Sequence, residues 1–103
     1  MIKQVVYDVI RDDETINITK DDIVIYSISV VEKSISLKDL YLAMDVKIED
    51  DIRLKKPFEK IDTPQNDSER IYNNTVEFMN RLLYSVNEKL KVLREKNNDT
   101  IFN

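Results

Sequence analysis

The chain has 103 residues with a net charge of −4 and 42% hydrophobic side chains, which is typical of one small globular domain, 1–103, with a modest core. Cysteine and histidine are both absent, which excludes disulfides, thiolate metal sites and the side chains that most often serve as strong nucleophile and general base. Glycine is absent too, which excludes glycine-built phosphate loops and leaves turns with positive φ to Asn and Asp.

Three stretches of alternating side chains predict β-strands in the first third of the chain. They span 4–10, 15–19 and 23–31. The polar run between the first two predicts a hairpin. In the third stretch we expect one face to point into the core, and that face comprises Val24, Tyr26, Ile28 and Val30.

The segment 37–48 fits two structures. A helix with Ser36 as its N-cap accounts for four apolar residues, Leu37, Leu40, Tyr41 and Met44. A strand accounts for five by strict alternation, Leu40, Leu42, Met44, Val46 and Ile48. We favour the strand because the helical pattern stops at Met44, and this choice requires a β-bulge near Lys38–Asp39.

A linker is predicted over 53–67, where both prolines lie. Thr63 followed by Pro64 offers an alternative helix start within it. The linker also holds the main basic cluster of the chain, which comprises Arg53, Lys55, Lys56 and Lys60. This cluster makes nucleic-acid binding one alternative function, but the net charge of −4 argues against a broad phosphate-binding face.

The longest periodic segment is 68–96, where apolar residues recur at alternating spacings of 4 and 3, as on one stripe of an amphipathic helix. The stripe comprises Tyr72, Val76, Met79, Leu83, Val86, Leu90 and Leu93. At the usual rise per residue this helix would be about 43 Å long, which exceeds the width of a small domain. Asn97–Asn98 are expected to end it, leaving 97–103 as a frayed tail.

We expect the two halves of the helix to have different roles. The apolar stripe is wider over 71–83, which favours packing on the sheet. The narrower second half would project and contact another protein, either a second copy in a homodimer or a host protein. The alternative is that the whole helix packs within its own subunit. The predicted interaction residues are Met79, Leu83, Val86, Leu90 and Leu93.

Together these elements predict an α+β fold: a small antiparallel sheet of four or five strands in 3–52, the linker, and one long C-terminal amphipathic helix. The sheet half is acidic, with 6 basic and 12 acidic side chains in 1–52. Its three acidic clusters comprise Asp12, Asp13, Glu14, Asp21, Asp22, Glu49, Asp50 and Asp51. Turn formation explains them most simply, while divalent-metal binding and imitation of nucleic-acid charge are alternatives.

Function is predicted mainly by exclusion. We expect a non-catalytic protein-interaction module without a cofactor, and a carboxylate-metal hydrolase is the remaining enzymatic alternative. The abundance of Ile, Asn, Asp and Lys is typical of AT-rich coding and favours a small accessory or inhibitory protein of a phage or mobile element. The alternative is a structural assembly subunit. Because no apolar run is long enough for a membrane span and the start lacks a signal-peptide core, we expect a cytoplasmic protein, in the host cytoplasm if it is phage-encoded.

Overall fold

The sheet is the centre of the fold, and both helices lie against it. The computed structural model describes residues 3–56 and 59–102, with side chains as far as Lys96. Within these ranges the elements are β1 (Lys3–Arg11), β2 (Thr15–Lys20), β3 (Ile23–Ser29), α1 (Leu37–Met44), β4 (Asp50–Leu54) and α2 (Asp67–Phe102). The strands form one sheet in the order β3-β2-β1-β4. The predicted α+β class, with a sheet followed by a long C-terminal helix, is confirmed.

The β1–β2 hairpin forms as predicted. The strands pair antiparallel, with Val9 opposite Ile18 and Arg11 opposite Ile16. Asp12 closes the turn, since its Oδ1 accepts hydrogen bonds from the backbone N–H groups of Glu14 and Thr15 at 2.8 and 2.7 Å. This is the turn chemistry expected of an aspartate in a chain without glycine.

The sheet is mixed, which corrects the prediction of a purely antiparallel one. β4 pairs with β1 in parallel, with Val5 opposite Ile52. It also extends the sheet to Leu54, so the linker begins after the predicted residue 53. A parallel neighbour requires a crossover connection, and α1 with its flanking loops supplies it between β3 and β4.

β3 ends at Ser29 and contains an irregularity that the alternation did not predict. Ile18 pairs with Tyr26 but Thr19 pairs with Val24, so Ile25 is an extra residue in a β-bulge. The bulge turns Val24 away from the core, where it is 53% exposed, while Ile28 stays buried as predicted. A one-residue insertion reverses the face of every side chain beyond it.

The segment 37–44 is a helix, so the preference for a strand is wrong. Ser36 is its N-cap and accepts a hydrogen bond from the Asp39 N–H, and no bulge lies at Lys38–Asp39. Only Leu40 and Met44 of this helix are buried, a spacing of one helical turn. Leu42 and Ile48, which alternation placed on the same inner face, are both exposed.

Positive backbone φ angles occur mainly where the composition predicts them. Among the described residues they are found at Asp21, Asp22, Asp45 and Lys33. The three aspartates confirm the expectation that acidic turn residues replace glycine. Lys33 is an exception, because lysine lacks the short polar side chain that lets Asn and Asp form local hydrogen bonds in the left-handed region.

α2 begins one residue before the predicted position. Asn66 caps it, with Oδ1 accepting a hydrogen bond from the Glu69 N–H at 2.9 Å, so Thr63 is not the start. The backbone remains helical to Phe102 and does not end at Asn97–Asn98 as predicted, while Asn103 lies outside the described residues. No helix of the described part of the chain is long and apolar enough to cross a membrane.

One hydrophobic core lies between the sheet and the two helices. The sheet contributes Val5, Tyr7, Val9, Ile16, Ile18, Ile28 and Ile52; α1 contributes Leu40 and Met44; α2 contributes Val76, Met79, Leu83, Val86 and Leu90. All the sheet residues in this set point to one face, and both helices cover that face. The other face carries no helix among the described residues.

Candidate interaction surface

The predicted interaction residues of α2 are mostly core residues. Met79, Leu83, Val86 and Leu90 are all buried against the sheet of the same chain. Leu93 alone is accessible, at 43% exposure. The expectation that only 71–83 covers the sheet is therefore wrong, and the alternative of packing within the same subunit holds at least as far as Leu90. These four residues form part of the core and are not available on the surface.

The second half of α2 also covers the outer edge of β4. Two backbone hydrogen bonds, from Lys3 N to Glu49 O and from Lys55 N to Tyr7 O, join β1 to the β4 segment. They show that the odd-numbered residues of this segment direct their backbone N–H and C=O groups towards β1. The even-numbered residues consequently point their backbone groups outwards. Asn87 Nδ2 donates to Ile52 O at 3.2 Å, and Arg94 donates to Ile48 O and to Asp50 O, so three outward carbonyls are occupied.

The opposite edge of the sheet is open. β3 has β2 on one side and no strand beyond it among the described residues. The hydrogen bond from Val30 N to Glu14 O indicates that even-numbered residues after the bulge bond to β2, so the backbone N–H and C=O of Ser27 point away from the sheet. From Ile23 to Val31 the sequence has no charged residue and no proline, which are two of the usual devices that keep an edge strand unpaired. The bulge at Ile25 is another such device, and Ser29 O accepts a hydrogen bond from Lys33 N at 2.9 Å.

An apolar cleft lies beside the carboxyl end of β3. Its volume is about 170 Å³. The lining comes from β3, the β3–α1 loop, the start of α1 and the amino-terminal part of α2, and it comprises Ile28, Lys33, Ile35, Leu37, Ile71, Asn74, Thr75 and Phe78. Lys33 forms an ion pair with Asp67 at 2.9 Å.

Exposed apolar side chains lie in the lining of this cleft or close to it along the chain. Val31 is 86% exposed and lies two residues before Lys33. Leu37 is 52% exposed, and Tyr41 follows it one helical turn later on the same side of α1. The helical pattern over 37–44 contains the signal for this patch, since Leu37 and Tyr41 lie beside the buried pair Leu40 and Met44. The predicted strand places Leu37 and Tyr41 differently and therefore does not indicate this patch.

The acidic clusters are explained by turns and ion pairs. Asp21 Oδ1 accepts a hydrogen bond from Val6 N at 3.0 Å, and the buried Asp50 accepts one from Lys47 N at 2.7 Å. Hydrogen bonds from the Thr15 and Glu14 backbone hold the pKa of Asp12 below its ordinary value. Asp13 and Glu14 are exposed in the β1–β2 turn, while Glu49 directly precedes β4 and Asp51 is the second residue of β4. Within the described residues, no group of three or more acidic side chains has the geometry to hold a metal ion.

The basic cluster is largely neutralised. Arg53, Lys55 and Lys60 form ion pairs with Asp51, Asp22 and Glu77 at 3.3, 2.7 and 2.9 Å. Lys56 is exposed nearby. Arg53 lies within β4 and not in the linker, so the four basic residues do not share one flexible segment. Pro57 and Phe58 lie outside the described residues.

A buried polar cluster fixes the end of α1. The Tyr7 hydroxyl donates to Met44 O at 3.0 Å, and Lys20 Nζ donates to the same oxygen at 2.8 Å. These donors satisfy a carbonyl that the helix end leaves without a partner. Burial raises the pKa of Tyr7, and the nearby carboxylates of Asp50, Asp21 and Asp45 raise it further. The cluster positions α1, and with it Leu37 at the cleft.

The chain has no match among known proteins in three kinds of comparison: no protein-family model, no curated protein and no solved structure matches it. The candidate surface therefore rests on the geometry of the described residues: an apolar cleft beside the carboxyl end of β3, with exposed apolar side chains in or near its lining.

Proposed function

We propose that this protein is a non-catalytic interaction module that binds another protein at the cleft formed by β3, α1 and α2. The observation that supports this most strongly is an open apolar cleft with the exposed Leu37 in its lining, together with exposed Val31 and Tyr41 close to it along the chain. Apolar side chains exposed together mark interaction surfaces more often than single exposed ones do.

The size of the cleft suits a side chain of a polypeptide. A cavity of about 150 Å³ accommodates a benzene molecule, and the cleft has about 170 Å³. One aromatic or branched apolar side chain would fill it, as the anchor residues of protein interfaces fill pockets. Lys33 and Asn74 at its margin provide polar groups for the partner's backbone.

The finer proposal is that the module serves as an accessory or inhibitory protein of a phage or mobile element and acts by occupying a surface of a host protein. Its small size and an amino-acid composition typical of AT-rich coding support this. Nucleic-acid binding is not part of the proposal, because three of the four basic residues at 53–60 have acidic partners.

Two leucines of α1 provide a matched test. Leu37 lines the cleft and is 52% exposed, whereas Leu42 is 64% exposed and lies outside the cleft. Wild-type protein, Leu37→Glu and Leu42→Glu would each be used for affinity purification from the native cell, with quantitative mass spectrometry of the captured proteins.

We expect a specific protein to be captured by the wild type and by Leu42→Glu and to be lost from Leu37→Glu. Because both leucines are exposed, both variants should fold, which circular dichroism would verify. Equal capture by Leu37→Glu and the wild type would contradict binding at the cleft.

A further inference from the structure

We infer that the protein binds a small organic carboxylate in a second pocket, beside the carboxyl end of β1. This Arg11 pocket has a volume of about 340 Å³. It is lined by Val9, Ile10, Arg11, Lys56, Ile61 and Tyr72, and it shares no lining residue with the cleft. The inference therefore goes beyond the proposed binding of another protein.

The linker wall of the Arg11 pocket is held on α2 by polar contacts. Asn73 Oδ1 accepts a hydrogen bond from Ile61 N at 2.8 Å, and Asn73 Nδ2 donates to Ile61 O at 2.9 Å. Lys60 and Glu77 add an ion pair at 2.9 Å. These contacts fix Ile61 against the same part of the helix that supplies Tyr72 to the pocket. The pocket is consequently preformed in the free protein, as small-molecule sites usually are.

Arg11 is placed to hold an anion. Its Nη1 donates to Ser68 Oγ at 3.4 Å, and the buried Ser68 hydroxyl in turn donates to Asp12 O at 2.7 Å. This contact occupies one N–H of a guanidinium that has five. Arg11 forms no ion pair with an acidic residue in the described part of the chain. Its remaining donors can therefore bind both oxygens of a ligand carboxylate.

Apolar side chains provide for the rest of the ligand. Val9, Ile10 and Ile61 line the pocket, and Ile10 is 50% exposed. Tyr72 adds a half-buried aromatic ring. An apolar lining with a few charged or polar groups is typical of small-molecule sites, whose volumes usually begin near about 300 Å³. The lining thus favours a compact ligand with an apolar or aromatic body.

The charges around the pocket favour a ligand with a single negative charge. Lys56 supplies a second cation, but it also lines an adjoining cavity of about 20 Å³ together with Asp8 and Glu59. That cavity has room for about one water molecule, so the ligand stays outside it. A phosphate dianion would bring a second negative charge towards these two carboxylates, whereas a carboxylate needs only Arg11. The anionic group of the ligand is therefore a carboxylate.

Three aromatic probes test this chemistry. Benzoate has a carboxylate, benzamide has the same ring without a charge, and phenyl phosphate is mostly a dianion at about pH 7.5. Each would be titrated into isotope-labelled wild type while NMR follows the backbone amides. We expect saturable shifts at Ile10, Arg11 and Ile61 with benzoate, weaker binding of phenyl phosphate, and no saturation with benzamide.

Arg11→Gln and Arg53→Gln are the matched pair of variants. Arg11→Gln should raise the dissociation constant of benzoate about tenfold or more, because the ligand loses its bidentate donor. Arg53 lies three residues before Lys56 and does not line the pocket, so Arg53→Gln removes the same charge nearby and should bind benzoate like the wild type. Both arginines are exposed, so both variants should fold, which circular dichroism would verify.

Four results would overturn the inference: no saturable shift at the Arg11 pocket with benzoate, equal binding of benzamide and benzoate, tighter binding of phenyl phosphate than of benzoate, or equal binding by Arg11→Gln and the wild type. None of them depends on capture of another protein at the cleft. Loss of capture by Leu37→Glu and loss of benzoate binding by Arg11→Gln are separate measurements, so either proposal can fail while the other stands.

Discussion

Arg94, late in α2, donates from Nε to the backbone oxygen of Ile48, 2.7 Å away. The same guanidinium also donates to Asp50 O, so one side chain occupies two carbonyls at the start of β4. Guanidinium presents several donors in a fixed planar arrangement, which suits two acceptors on one strand. α2 therefore covers one face of the sheet with apolar residues and closes one of its edges with polar ones.

Replacing Arg94 by methionine should destabilise the fold. The substitution keeps an apolar stem but removes donors to two carbonyls, and hydrogen bonds that involve a charged group contribute about 1.5–3 kcal/mol each. Because Arg94 is only partly buried, water can replace part of both bonds, and we expect a total loss of about 2 kcal/mol in the free energy of unfolding, measured by urea titration.

Arg81→Met is the matched control for this experiment. Arg81 is exposed on the same helix and pairs with Glu77 at 2.8 Å, and such helix-surface pairs contribute about 0.3–0.5 kcal/mol. Equal stability of the Arg94 and Arg81 variants would show that Arg94 does not hold the β4 edge in solution.

Leu90 and Leu93 should differ sharply in their contribution to stability. Leu90 is 6% exposed and belongs to the core, whereas Leu93 is 43% exposed. Leu90→Ala should cost about 2–4 kcal/mol and Leu93→Ala less than about 1 kcal/mol, both measured by urea unfolding of purified protein. A small loss for Leu90→Ala would mean that this part of α2 projects from the sheet after all.

Tyr7 gives a prediction for alkaline pH. Its pKa is raised in the folded protein by burial and by Asp50, Asp21 and Asp45, while a tyrosine in the unfolded chain ionises near about 10. Above that pH the unfolded state releases the proton and the folded state keeps it, so stability falls as pH rises. Below it, the contribution of Tyr7 is fully present.

Tyr7→Phe isolates this contribution. At pH 7 it should be less stable by about 1 kcal/mol, because Met44 O loses the hydroxyl donor. The difference in the free energy of unfolding between Tyr7→Phe and the wild type should become smaller above about pH 10, since phenylalanine has no proton to release. Tyr84→Phe, at an exposed position, should match the wild type at both pH values. A gap that stayed constant with pH would contradict the raised pKa.

Local patterns predicted much of the fold. Alternation identified β1 and β2, because one face of each is buried and the other faces the solvent. The spacing of the α2 stripe identified the core residues from Val76 to Leu90, although it did not say which molecule would cover them. Periodicity reports that a face is buried, and the identity of the covering surface depends on tertiary contacts.

The wrong predictions also arise because tertiary contacts are not visible in local patterns. The segment 37–48 fits both the helical and the strand periodicity. The helix is stabilised by its N-cap at Ser36 and by the hydrogen bonds that Tyr7 and Lys20 donate to Met44 O. The donors come from strands distant in sequence, so no local pattern reveals them. The bulge at Ile25 and the two edge contacts of α2 are likewise properties of the assembled sheet.

The central claim is that α2 covers one face of the sheet and holds the outer edge of β4 within a single molecule. Residue-by-residue amide hydrogen exchange at low and high protein concentration tests it most directly. We predict that the amides of β4 exchange at rates independent of concentration and exchange faster in Arg94→Met than in the wild type. Protection of β4 that grows with concentration, or exchange in β4 that Arg94→Met leaves unchanged, would contradict it.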